Sequence, residues 1–162
     1  MQGVKKFEAP AEQSTPAERD VAEESVAKLR AGPSVKPSRS GRVLVVDDEV
    51  AVGRTIQRLL GDRHEVVALA GGAEAIELLR TGADFDVILC DMSMPEVTGI
   101  DVYVRSTETR PDLATRFIFM TGGSFTASTR DFLERSPNEK IDKPFDLAVL
   151  RAVVRSRIAE EC

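Results

Sequence analysis

From residue 42 onward the chain alternates short apolar runs with stretches of helical spacing, one of each every 20–30 residues, without an internal sequence repeat. The runs are Val43-Leu44-Val45-Val46, Val66-Val67-Ala68-Leu69, Asp86 to Cys90, and Arg116-Phe117-Ile118-Phe119-Met120. Strands without alternation of apolar and polar residues are buried on both faces, and strands that alternate with helices are joined by crossovers. The chain is therefore expected to be α/β, a parallel sheet covered by helices on both sides. The first helical stretch, 49–61, places Val52, Ile56, Leu59 and Leu60 on one side before Gly61. The second, 72–81, carries Ala75, Ile76 and Leu79, and a third runs through Ile100-Asp101-Val102-Tyr103-Val104 and stops near Pro111. A short helix is expected over 126–135, and the last carries Leu147, Leu150, Val154 and Ile158 at spacings of three and four. Lys140-Ile141-Asp142 has a single apolar residue, and pattern alone does not make it a strand.

Residues 1–40 have a different texture. They hold four of the eight prolines and almost no large apolar residues, too little to offset the entropy of ordering a backbone. A mostly disordered leader is expected there, followed by one globular domain over 41–162. One local exception is a short helix over 16–31. Thr15-Pro16-Ala17-Glu18 reads as a capping box with proline at the first helical position, and Gly32 as a stop.

Charge also divides the chain. The leader has seven Lys/Arg against six Asp/Glu, whereas residues 41–162 have fifteen against twenty-one, a net −6. An acidic domain without a basic stripe argues against direct nucleic-acid binding. No apolar run approaches the roughly 20 residues of a membrane span, so no membrane insertion is expected. The N-terminus lacks the apolar segment of a secretory signal. Cys90 and Cys162 form neither a disulfide framework nor a metal knuckle, which fits a reducing cytoplasm.

The charged residues fall at the strand ends. In open parallel sheets, ligands bind where the strands finish. The first strand finishes in Asp47-Asp48, the third in Asp91, and the fourth in Thr121-Gly122, while Lys143 follows the weak 140–142 segment. Asp47-Asp48 alone reads as readily as a helix N-cap; with Asp91 and Lys143 it reads as part of a site. Three carboxylates about 4–5 Å apart repel by roughly 4 kcal/mol per pair at an effective dielectric near 20. They stay ionised only with cations among them. One divalent ion plus the Lys143 ammonium balances three acids, and an oxygen-only donor set with open water positions suits Mg²⁺. A phosphoryl group added to Asp91 would be met by the metal, Lys143, the Thr121 hydroxyl and the Gly122 backbone N–H.

Residues 42–160 resemble the receiver domain of two-component response regulators, including receivers fused to hybrid histidine kinases. The resemblance is carried by "VLVVDDE", "VILCDMSMPEVTGID", "FIFMTGG" and "IDKPF", in order and at family-like spacing. It implies a flavodoxin-like, doubly wound sheet of five parallel strands in the order 2-1-3-4-5. It also makes Lys140–Asp142 the fifth strand. By the same resemblance Asp91 is the phosphoacceptor, Asp47 and Asp48 hold Mg²⁺ with Asp91, and the Ser93 backbone carbonyl completes the metal ligands. Thr121 and Lys143 match the switch hydroxyl and the phosphate-pairing lysine. The implied donor is the phosphohistidine of a histidine kinase or a histidine phosphotransfer protein. The chain would then be no enzyme beyond its own phosphorylation and dephosphorylation.

Two departures from the family pattern matter. Three residues before the family's lysine stands Lys140, where receivers that switch an output usually carry an aromatic ring. Its absence favours a phosphate relay or sink. Ser93 and Gly123, both small, occupy positions that tune hydrolysis. A phosphate-independent interaction scaffold is the alternative reading, motivated by Lys140. A phosphohydrolase is a third, but Ser93 stands where such enzymes commonly place a second acid. His64, the one histidine, is expected at the surface or at a strand edge. No DNA-binding segment is read after the last helix, so output is expected to pass through a partner protein or through whatever the leader joins. The leader fits both the linker before a terminal receiver and the tail of a single-domain regulator.

Overall fold

The computed structural model describes residues 39–160. The expected helix over 16–31, and all of the leader except Arg39 and Ser40, lie outside the described residues. Five strands form one sheet: β1 Arg42–Val46, β2 Glu65–Leu69, β3 Val87–Asp91, β4 Phe117–Thr121 and β5 Lys140–Asp142. All neighbours are parallel, in the order β2-β1-β3-β4-β5, which is the expected flavodoxin-like arrangement. The crossovers carry α1 Val50–Leu60, α2 Gly72–Arg80, α3 Gly99–Thr109 and α4 Ala127–Arg135, and α5 Leu147–Glu160 follows the last strand. Among the described residues, no helix is long and apolar enough to cross a membrane.

The period of two within each strand builds two cores. Val43, Val45, Val87, Leu89, Ile118, Met120 and Ile141 face one side, where α1 and α5 cover them with Ile56, Leu60, Leu150, Val154 and Ile158. Leu44, Val46, Ile88, Cys90, Phe117 and Phe119 face the other, under α2, α3 and α4. Tyr103 packs edge-on against Phe117, Phe119 and Phe132 there.

Three details differ from the sequence reading. Pro111 ends α3 and opens a 3₁₀ turn over Pro111–Arg116, so Arg116 precedes β4 instead of starting it. Asp91 is the last residue of β3 itself, where the sequence pattern stopped at Cys90. His64 sits beside edge strand β2 as expected for a strand edge, but it is buried, and its Nδ1 accepts the Gly41 N–H at 3.2 Å. Burial lowers its pKa, so the neutral imidazole serves as a structural acceptor.

Strand β5 is short because little holds it. Only Ile141 is buried, and the strand pairs with β4 alone. Polar bonds fix the chain that leads into it. The Asn138 amide donates to the carbonyls of Ala114 and Phe117, and the Lys140 ammonium donates to the carbonyls of Ser136 and Asn138. At the opposite rim, where the strands begin, the Asp86 carboxylate accepts the Arg42 N–H at 2.7 Å and pairs with Arg39 at 3.2 Å. Gly41 there lies against Ile158 near the end of α5, with no room for a Cβ.

Candidate functional site

Strands β1, β3 and β4 deliver Asp47, Asp91 and Thr121 to the same rim, and Lys143 arrives one residue past β5. One carboxylate oxygen each from Asp47, Asp48 and Asp91 lies within 4.8 Å of the other two. The tandem acids are not equivalent. Successive residues of an extended chain point to opposite sides; the Asp47 side chain is wholly buried and Asp48 is exposed. Nor is Asp47 a helix N-cap. Glu49 holds that position without a side-chain cap, and Asp47 Oδ1 accepts the Glu49 N–H at 2.9 Å.

Lys143 joins the acids. Its Nζ lies 2.6 Å from Asp47 Oδ2 and 3.5 Å from Asp91 Oδ1. Asp47, Asp91 and Lys143 continue the alternation of the residues that face α1 and α5, so three strand ends turn them to one side. Burial pushes the Asp91 carboxyl above its ordinary pKa and the Asp47 charge adds to this, while Lys143 and the Ser93 backbone N–H oppose it. Burial alone would lower the Lys143 ammonium, but its hydrogen bond to Asp47 and the charges of Asp47 and Asp91 hold it above its usual value. The net result is a carboxyl that is hard to ionise beside an amine that stays protonated. Burial, with the Asp91 and Asp47 charges, raises the Cys90 thiol so far that it behaves as a small hydrophobe.

The donor set fits a hard divalent cation: three carboxylates, all oxygen, at the edge of an open cleft of about 800 Å³. Ser93, Gly122 and Gly123 line that cleft with Asp48, Asp91 and Lys143. Thr121 is buried at the rim, yet its hydroxyl points elsewhere, to Asp142 Oδ1 at 2.5 Å. Sequence reasoning missed Asp142. The only available signal was its place beside Lys143, and the contact depends on a β4–β5 register that could not be read.

The loop after Asp91 is held tightly. The Met92 N–H bonds the Met120 carbonyl at 3.1 Å, and the Gly99 N–H returns to the Met92 carbonyl at 3.4 Å. Thr98 and Asp101 form a capping box that starts α3. At Gly99 a Cβ would collide with the Asp91 carbonyl and would meet Met92 Cα at 2.9 Å. Both are backbone atoms, so Gly99→Ala must displace the segment that carries Asp91. The expected cost is about 1–3 kcal/mol, read by denaturant unfolding; a variant of unchanged stability would show that the loop yields freely.

This geometry has relatives. Residues 43–155 match the family model of the response regulator receiver domain. The chain belongs to that family. Transcriptional regulatory protein DltR of Streptococcus agalactiae is 36% identical over 117 residues, which cover 72% of this chain and 51% of DltR. The chain thus spans about half the length of that relative. Chemotaxis protein CheY1 of Helicobacter pylori is 33% identical over 114 residues, 68% of this chain and 90% of CheY1. A CheY-like receiver domain from Methanospirillum hungatei superposes with a TM-score of 0.65 at 23% identity, over 75% of this chain and 95% of that one. This last likeness speaks to the fold alone. It agrees with the strand order of the receiver.

Proposed function

We propose that this receiver, extending over 41–162, accepts a phosphoryl group on Asp91 and passes its signal on by protein contact. The observation that carries the reading is the Lys143 ammonium lying between buried Asp47 and strand-ending Asp91, with Asp48 alongside. In the proposed transfer an Asp91 carboxylate oxygen forms a bond to phosphorus as the phosphorus–nitrogen bond of a phosphohistidine breaks. The resulting acyl phosphate is later lost to water. The work of the chain is positioning and charge neutralisation. Asp47 holds the Lys143 ammonium where it can meet the new phosphoryl oxygens, and Gly122 offers a backbone N–H at the cleft wall. Asp47, Asp48 and Asp91, completed by the Ser93 carbonyl, are the residues that would hold Mg²⁺. When bound, the ion would supply positive charge to offset the acids and the incoming group.

The donor in this reading is a histidine kinase or a histidine phosphotransfer protein. Position 140 is a lysine tied to two backbone carbonyls, not an aromatic ring that could report movement of Thr121. This favours a relay or a sink over an aromatic-coupled output. Incubation with acetyl phosphate and Mg²⁺ should add one phosphoryl group, seen by intact mass, and both a chelator and Asp91→Asn should prevent it. Labelling that persists in the Asp91→Asn protein would overturn the assignment.

A further inference from the structure

We infer that Asp142 is a positioning residue that holds the Thr121 hydroxyl away from Asp91, and so opposes phosphorylation of the resting receiver. The inference rests on the phosphoacceptor reading above and adds a residue to it. Thr121 ends β4, Asp142 ends β5, and the two are direct partners in the β4–β5 ladder. Partners in a parallel ladder project to the same face. Ile141 packs with the α1 and α5 core, so Asp142, like Thr121, belongs to the face of α2 to α4. Asp91 and Lys143 have the opposite parity. The hydroxyl therefore has its nearest acceptor across the ladder, and Oγ1 to Oδ1 is 2.5 Å. A second, weaker contact at 3.4 Å joins it to the Ile141 carbonyl, also on β5.

A threonine hydroxyl has one proton to give. While that proton is shared with Asp142, none is left for an oxygen on Asp91. To meet a phosphoryl group the side chain must turn about Cα–Cβ and exchange one anionic acceptor for another. Asp142 thus stabilises the unphosphorylated arrangement by the strength of a charge-assisted bond at an exposed strand edge. Losing it should favour the phosphoryl-bound arrangement about five- to tenfold.

Removing a negative charge near the site would by itself help an anion bind, so the test must separate the bond from the charge. Beryllofluoride, an anionic phosphoryl mimic, is titrated in Mg²⁺ and followed by NMR for the wild type, Asp142→Ala, Asp142→Asn, Thr121→Ala and the Thr121→Ala/Asp142→Ala double variant. Asp142→Ala should bind the mimic about five- to tenfold more tightly than the wild type. Asp142→Asn, which keeps an acceptor without the charge, should show a smaller gain. The double variant should exceed Thr121→Ala by clearly less than Asp142→Ala exceeds the wild type, because only the charge effect is left. An equal gain from Asp142→Ala in the Thr121→Ala background would reduce Asp142 to a through-space charge and overturn the inference. An Asp142→Ala protein that binds like the wild type would remove the inference and leave the phosphoacceptor reading in place. Failure of the wild type to bind the mimic at all would remove both.

Discussion

Replacing Lys143 by methionine should lower the melting temperature of the metal-free receiver by about 10 °C or more, and Mg²⁺ should return part of the loss. Methionine keeps most of the length of the stem and removes the charge. The Asp47 side chain is wholly buried and has the Lys143 ammonium at 2.6 Å, with Asp91 a second acid 3.5 Å from the same nitrogen. Removing one partner from a buried pair costs about 3–5 kcal/mol, because the other charge stays behind uncompensated. Lys143 itself retains 20% of its side-chain exposure, which moves the expectation to the lower end. A divalent cation would supply the missing positive charge, so the variant should gain more from Mg²⁺ than the wild type does. Thermal melts with and without the metal give the result. Equal melting temperatures in metal-free buffer would show that the ammonium does not hold these acids together.

Asp91→Asn should act in the opposite direction and make the metal-free protein more stable at neutral pH. Burial first, and then Asp47, makes the Asp91 carboxyl harder to ionise in the folded chain than in the unfolded one. A carboxyl raised in this way favours folding while it is protonated, and that contribution is lost as pH rises through its folded pKa. At pH 7 the wild type therefore carries an ionised group that works against the fold. The gain from asparagine is about 1–2 kcal/mol, the share of a roughly 4 kcal/mol like-charge repulsion that Lys143 leaves unscreened. Denaturant unfolding from pH 4 to pH 8, without metal, should show the variant's advantage opening as pH rises and closing toward acid. A variant less stable than wild type at pH 7 would mean that the ionised carboxylate contributes net stability, contrary to this account. If the advantage is seen, Asp91 is a residue that costs stability where it sits, which is common for groups held in readiness for chemistry.

The parts legible in the sequence share a physical cause. Three strands could be read because double-sided burial demands unbroken apolar runs, as in Val87-Ile88-Leu89-Cys90, where every residue is buried. Edge strand β2 carries the same kind of run in Val66-Val67-Ala68-Leu69, although it is only half-buried. Their ends could be read because a charge directly after such a run has to face a rim. Strand β5 could not be read from pattern. An edge strand buried on one side needs only Ile141, and a single residue has no period. The resemblance, not the pattern, placed it. The consequences spread from there: without β5 there is no β4–β5 register, and without the register Asp142 has no visible link to Thr121. The tandem acids show a similar limit. Asp47 and Asp48 look interchangeable in one dimension, and only the alternation of an extended chain sends one inward to Lys143 and the other to solvent. The 3₁₀ turn at Pro111–Arg116 was hidden because its one buried apolar residue, Leu113, also gives no period.

The packing of Gly41 against Ile158, with Arg39 paired to Asp86, has a consequence for how such a domain can be wired into larger molecules. Entry into the first strand and exit from the closing helix are side by side, and both lie a full strand length from the carboxylates. The chain thus enters and leaves the described domain at the rim opposite Asp91. Domains with adjoining ends tolerate insertion and rearrangement in longer chains. Changes of chain at those ends therefore need not touch the rim that carries Asp47, Asp91 and Lys143.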